Sequence, residues 1–285
     1  MKLVRHGLPG QEKPGMLDDE GAVRDLSAVC GDFNPTFFAA DCIAKLRSVN
    51  PKDLPYVPAG TRLGACVARP GNFIAIGLNY VQHAIETNAP IPTDPILFNK
   101  APSGICGPND TVLLPKDSKK TDWEVELAFV VGKAAHNVSE SEALACVAGY
   151  FVCNDLSERE FQLERSGQWS KGKMFPTSAP LGPWLVTPDE IADVHNLHLW
   201  LELNGKRIQD SSTSDMIFTI AKIISETSRY VLLEPGDVIT TGTPPGVGLG
   251  MKPEQYLKEG DVMRLGVDGL GVQEQRVSRW GKQVR

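Results

Sequence analysis

Residues 121–132, TDWEVELAFVVG, constrain the fold of this chain more than any other stretch. The side-chain period is two. Trp123, Val125, Leu127 and Phe129 share one face of a strand, and Glu124, Glu126 and Ala128 share the other. Two carboxylates therefore point the same way from neighbouring positions. Like charges held that close repel each other, so the pair needs either water over an exposed sheet face or a cation between them. The local pattern leaves both open.

That strand is one of many. From Ala68 onward short β runs recur between Gly and Pro turns, among them NFIAIGL, PILFNKA, DTVLLP, YFVCND, HLWLELNG, DVITTG and DVMRLGV. Helices are expected at 140–148, 157–165 and 214–228, the last opening on a Ser or Asp cap. Strands without regular βαβ alternation predict an α+β fold with a large β core rather than a doubly wound sheet. Residues 1–65 carry shorter strand-like pieces and a helix expected at 35–49, and they end in the Pro-rich NPKDLPYVPAGTRLG. They are expected to form a small N-terminal domain ahead of a larger one at 66–285.

Composition narrows the class. Hydrophobic residues make up 41% and charged residues 22%, and no apolar run approaches the roughly 18 residues of a membrane span, so no membrane partner is expected. The start, MKLVRHGLPGQEKPG, has no apolar secretory segment, which leads us to expect a cytoplasmic protein. A net charge of -6, without a Lys/Arg stripe, repels polyphosphate backbones, so nucleic acid is not an expected partner. The six cysteines form no C-x-x-C pair and no zinc spacing with the histidines, and are expected to be reduced thiols.

Three further pieces carry chemistry. In GYFVCNDLSEREFQ, Asp155 ends an apolar strand, a place where functional groups are presented, though it could also cap a helix. Joined to Glu124 and Glu126 it would give three hard oxygen ligands without thiolate or imidazole, a set suited to Mg²⁺ or Mn²⁺ rather than zinc. In GLNYVQHAIE, His83 and Glu86 are three apart and meet on a helical turn, where the carboxylate can orient the ring and fix its tautomer; the same spacing is also common on helix surfaces. TTGTPPGVGLG lacks the Gly-Lys-Ser/Thr ending of a phosphate loop, but its glycines permit close backbone approach to a ligand.

Taken in order, GLNYVQHAIE, the FNK of PILFNKAPSGICGPND, DWEVELAFVVG, CNDLSERE with Gln162, WSKGKMF with PLGP, and TTGTPPGVG make the stretch 72–277 similar to the fumarylacetoacetate hydrolase family. The resemblance implies that family's mixed β-roll and its assembly as a homodimer or higher homo-oligomer. It implies Glu124, Glu126 and Asp155 as Mg²⁺ or Mn²⁺ ligands and Lys173, rather than Lys171, as the lysine beside the metal. It further implies Thr243 at the substrate's carboxylate end, and Tyr80, Arg159 and Gln162 as pocket residues. In the family's hydrolases the H-x-x-E dyad activates water, so His83 and Glu86 imply a hydrolase of carbon-carbon bonds in ketonic substrates, with a small diketo acid as substrate. GLNYVQHAIE and the FNKAPSGICGPND segment resemble members that cleave 2,4-diketo-3-deoxy-L-rhamnonate or its fuconate counterpart to pyruvate and lactate in sugar-acid catabolism. The alternatives are an acylpyruvate or fumarylpyruvate hydrolase, a decarboxylase or dehydratase of 2-oxo acids, and a non-enzymatic metabolite-binding protein.

Overall fold

The alternating stretch forms the strand Val125–Val131, whose seven residues are all buried. Its two faces serve two different cores. Trp123, Val125, Leu127 and Phe129 pack with Leu199, Leu201, Met263 and Leu265 of a second sheet and with Ile223 and Ile224. On the opposite face Ala128 and Val130 pack with Phe151 and with Phe33, Phe37 and Phe38 from the N-terminal segment. Each of the large side chains so buried stabilises the fold by about 1.5–3 kcal/mol. No room is left for a water-covered face over this strand.

The computed structural model describes residues 1–281. In the large sheet, the strand order is Val23–Asp25, Lys13–Leu17, Lys2–His6, Ala179–Val186, Val147–Asn154, Val125–Val131, Val238–Thr240, Phe73–Gly77, Ile96–Asn99. The second sheet runs Lys206–Ser212, His198–Leu203, Val262–Val267, Gly271–Arg279, Val112–Leu114. The expected strand-rich α+β architecture is therefore present. The N-terminal strands join the large sheet directly, with Lys2 opposite Val186 and Leu3 opposite Leu185.

The helices are shorter than their sequence patterns predict. The expected helix at 35–49 breaks into Pro35–Ala39 and Cys42–Leu46, because Asp41 takes a left-handed φ of 46°. The expected helix at 140–148 yields to a strand that begins at Val147. At 157–165, Ser157 and Glu158 pair with Asp122 and Thr121 as strand, and only Glu160–Glu164 coil, as a π-helical turn. The last helix runs Ile220–Thr227 and is capped by the Thr219 side chain rather than by a Ser or Asp at 214–215. The strand Ala179–Val186 escapes a pattern reading because Pro180 and Pro183 lie inside it, and proline usually argues against a paired strand. Among the described residues, no helix is long and apolar enough to cross a membrane.

Candidate active site

Strand register assembles the site. Val125 stands opposite Asn154 and Glu126 opposite Cys153 in antiparallel pairing, so Glu124 and Asp155 leave the sheet at the same end, tied by Asp155 N–H to Glu124 C=O at 2.9 Å. Val238–Thr240 pairs antiparallel with Val125–Val131 and parallel with Phe73–Gly77, and that brings the segments after Gly77 and after Thr240 to this end as well. Asn79 fastens them together. Its side-chain amide donates to the carbonyls of Thr241 and Phe218 at 2.8 and 3.1 Å, and its oxygen accepts from Phe218 N–H at 2.7 Å.

Glu124, Glu126 and Asp155 are all buried, and one ligand oxygen from each lies within 4.8 Å of the others. The surroundings of the three differ. Glu124 meets Lys173 Nζ at 2.6 Å and Arg159 NH2 at 2.7 Å; burial would raise its pKa, but these two cations outweigh it and hold the carboxyl below 4.5. Asp155 receives Lys100 Nζ at 2.5 Å on one oxygen and Lys173 Nζ at 2.8 Å on the other. Glu126 is held by neutral donors, the Thr240 hydroxyl and, at 2.9 Å, Gly242 N–H. Burial, Asp155 and Glu124 together push its carboxyl well above 4.5. Lys173 stays charged, because Asp155 and Glu124 more than offset the burial that would lower it.

Arg159 also binds Asp122, which further accepts from the N–H groups of Gly248, Trp123 and Leu249 at 2.7, 2.8 and 3.0 Å. The charged cluster thus sets Lys100, Arg159 and Lys173 against Asp122, Glu124, Glu126 and Asp155. With all four carboxyls ionised one negative charge would be left over, on the side where Glu126 has no cation, and burial together with that unbalanced charge is what raises the Glu126 carboxyl. Three carboxylates converging with that deficit, all hard oxygen donors, fit a divalent ion such as Mg²⁺ or Mn²⁺.

His83 lies on the short helix Val81–Glu86, buried, with Nδ1 2.9 Å from Glu86 Oε1. A carboxylate only accepts, so Nδ1 donates to Glu86, and in the neutral ring Nε2 is then the acceptor. Glu86 is itself fixed: Gly246 N–H donates to its two oxygens at 2.9 and 3.1 Å. Only glycine serves at 246, since φ is +103° and a Cβ would meet Ile208 C=O at 1.9 Å.

A cavity of about 130 Å³ is lined by His83, Glu124, Glu126, Arg159, Lys173 and Thr243, with Gln162 at its side. Gln162 accepts from Arg159 NH1 at 3.1 Å. The Thr243 hydroxyl donates to Val125 C=O at 3.0 Å and accepts from Gln209 at 2.8 Å. Tyr80 is placed apart from this lining, in the apolar core, with its hydroxyl unpartnered and burial raising its pKa well above 10. Lys171 is exposed and bonds Ser166. The six cysteines are free thiols. Sequence reasoning gave no role to Lys100 or Asp122. The lysine of FNK, directly after the strand Ile96–Asn99, was the available signal for the first. For Asp122, its place two residues before Glu124 would have put it on the carboxylate face.

The chain from 72 to 278 matches the family model for fumarylacetoacetate (FAA) hydrolase C-terminal. A protein of Burkholderia multivorans, provisionally named a hydrolase, is 55% identical over 96% of this chain and 98% of its own. A probable 2-hydroxyhepta-2,4-diene-1,7-dioate isomerase from Mycobacterium abscessus is 33% identical with a TM-score of 0.80, covering 98% of this chain and 99% of its own. Maleylpyruvate hydrolase from Sphingobium sp. SYK-6, solved with manganese(II) and pyruvate, is 26% identical with a TM-score of 0.80, at the same coverage of 98% and 99%. This chain belongs to the fumarylacetoacetate hydrolase family.

Proposed function

We propose that this protein is a Mg²⁺- or Mn²⁺-dependent hydrolase that cleaves a carbon-carbon bond in a small 2,4-diketo acid. The observation that carries this reading is that His83, paired with Glu86, lines the same cavity as Glu124 and Glu126 of the carboxylate triad. The manganese and pyruvate in the maleylpyruvate hydrolase structure support it. Glu124, Glu126 and Asp155 would hold the ion, which when bound supplies Lewis-acid polarisation and a template for the substrate's oxygens.

His83 Nε2 takes a proton from water, Glu86 stabilising the imidazolium from the other side. The resulting hydroxide adds to the distal C4 carbonyl. The C3–C4 bond then breaks, its electron pair moving into an enolate across C3, C2 and the C2 oxygen. The acyl half leaves as a carboxylic acid. The proton returned to C3 by His83 completes pyruvate and restores the neutral ring. Lys173 and Arg159, both charged and buried, favour negative charge on the oxygens of the pyruvate half. At about 130 Å³ the cavity is of the size that holds roughly six packed heavy atoms, which suits the pyruvate half of a small diketo acid.

The 2,4-diketo-3-deoxy-L-rhamnonate and fuconate expected from the motifs belong in the first substrate panel, beside acetylpyruvate and fumarylpyruvate. A homodimer is proposed on the resemblance, with light scattering as its check. The test of function is pyruvate release from that panel by chelator-treated protein before and after Mn²⁺ is added. Release only with Mn²⁺ supports the reading. The isomerase neighbour gives a second reading, in which double-bond migration needs no activated water. A shifted ultraviolet spectrum without pyruvate would favour it.

A further inference from the structure

Resting on the diketo-acid reading, we propose that the substrate's acyl end lies on an apolar wall formed by Phe98, Leu163 and Trp169, so that the preferred acyl group is apolar rather than polyhydroxylated. The cavity lining is of two kinds. Beside charged side chains of the cluster, it includes the apolar Phe98, Leu163, Trp169, Leu249, Ile76 and Leu78. Phe98 marks the border between the two. Lys173 Nζ lies 5.2 Å from the centre of its ring, and Trp169 packs edge-on against it with centroids 5.6 Å apart. A substrate whose 2-oxo acid half meets Lys173 and Arg159 therefore extends its other half past Phe98 onto Trp169.

The seat of Trp169 is specific. A Cβ on Gly77 would stand 2.3 Å from Trp169 Cζ3, so the indole rests directly on the backbone at the end of the strand Phe73–Gly77. Such a contact fixes the ring as a surface. Leu163, at 43% exposed, is one of several exposed aliphatic side chains, but it lines this cavity, where an apolar ligand would cover it. Phenyl and aliphatic side chains offer no hydrogen bond, and Trp169 offers one donor and no acceptor. Several substrate hydroxyls set against such a wall would lose water without gaining partners.

Two series on the Mn²⁺-loaded protein test the wall. The first is hydrolysis of acetylpyruvate, butyrylpyruvate and hexanoylpyruvate against 2,4-diketo-3-deoxy-L-rhamnonate, followed by pyruvate release. The second is calorimetric binding of 2-oxobutanoate, 2-oxopentanoate and 2-oxohexanoate, which lack the 4-keto group and cannot be cleaved. Each methylene that reaches the wall should raise kcat/KM or affinity about three- to fourfold. Trp169→Ser and, with less risk to the fold, Leu163→Ser should flatten both slopes. Rising affinity without any pyruvate release keeps the wall and overturns the hydrolase reading. Pyruvate release with flat slopes, or with the hydroxylated acid preferred, overturns the wall and keeps the hydrolase. Flat affinities together with no pyruvate release overturn both.

Discussion

Among the described residues, two histidines lie within hydrogen-bond distance of a carboxylate, in opposite surroundings. His83 Nδ1 lies 2.9 Å from Glu86 Oε1, and His198 Nε2 lies 2.5 Å from Asp210 Oδ1. The side chains of the first pair are 7% and 19% exposed, and those of the second 44% and 60%. Glu86 is clamped by Gly246 N–H, whereas Asp210 also lies 3.6 Å from Arg207. The remaining nitrogen of His83 serves a cavity floored by carboxylates, while that of His198 lies 3.8 Å from Asp268, itself 64% exposed. A short distance therefore does not make a site. Anchorage of the acid and the groups that the second nitrogen meets are what separate a base from a surface contact.

The largest expected effect comes from removing what His83 faces while sparing the pair itself. Chelation, or Glu126→Ala, should reduce turnover to background, and Mn²⁺ should restore the chelated protein but not the variant at ordinary concentrations. Full turnover in chelated protein would mean that His83 acts without the triad, and the contrast with His198 would lose its basis. Next in size, His83→Ala should lower kcat by about a hundred- to ten-thousandfold while Mn²⁺ and oxalate still bind by calorimetry. His198→Ala should leave kcat within about twofold and stability within about 0.5 kcal/mol. Equal losses in the two variants would break the comparison. Below these, Glu86→Gln keeps the shape but weakens support of the imidazolium, and should cost about tenfold in kcat. Asp210→Asn, measured beside it, should cost nothing in turnover.

Much of the floor was legible and much of the cavity was not. The alternation around Glu124 and Glu126 fixes which side chains share a face, and antiparallel pairing then brings Asp155 beside them. Whether that face met water could not be read locally, because Phe33, Phe37 and Phe38, which cover the other end of the same face, lie far away in sequence. Lys100 illustrates the same limit. Its burial and its bond to Asp155 arise from contacts 55 residues apart. A lysine after a strand gives no sign of them, although breaking such a buried pair typically costs about 3–5 kcal/mol. Trp169 stood in the motif WSKGKMF as a landmark for Lys173, and only the packing on Gly77 shows it as a wall. Helix limits failed for a local reason at 35–49, where Asp41 turns left-handed, and for a tertiary one at 140–148, where the strand Val147–Asn154 takes the chain.

The smallest expected effect concerns a third histidine, whose role is the reverse of the other two. His195 Nε2 accepts the N–H of Ile220 at 3.2 Å, at the start of the helix Ile220–Thr227, so this nitrogen must carry no proton. Burial lowers its pKa below 6.5, and Asp193 only partly opposes that. As pH falls, the unfolded chain takes up its proton near 6.5, while the folded chain holds out to lower pH. In that window the unfolded state binds more protons, so stability rises with pH. The contribution is complete above 6.5 and is lost as pH drops below it. The ring is only partly buried, and the effect should stay under about 1 kcal/mol, or about 2 °C in Tm. Thermal melts between pH 5 and 7.5 would measure it: His195→Gln should remove part of the acid-side slope, and His198→Gln, at the exposed pair, should leave that slope as it is. An unchanged slope in His195→Gln would leave the acid-side loss to His6, which is buried and whose pKa burial also lowers. The helix start would then draw no measurable stability from an unprotonated imidazole.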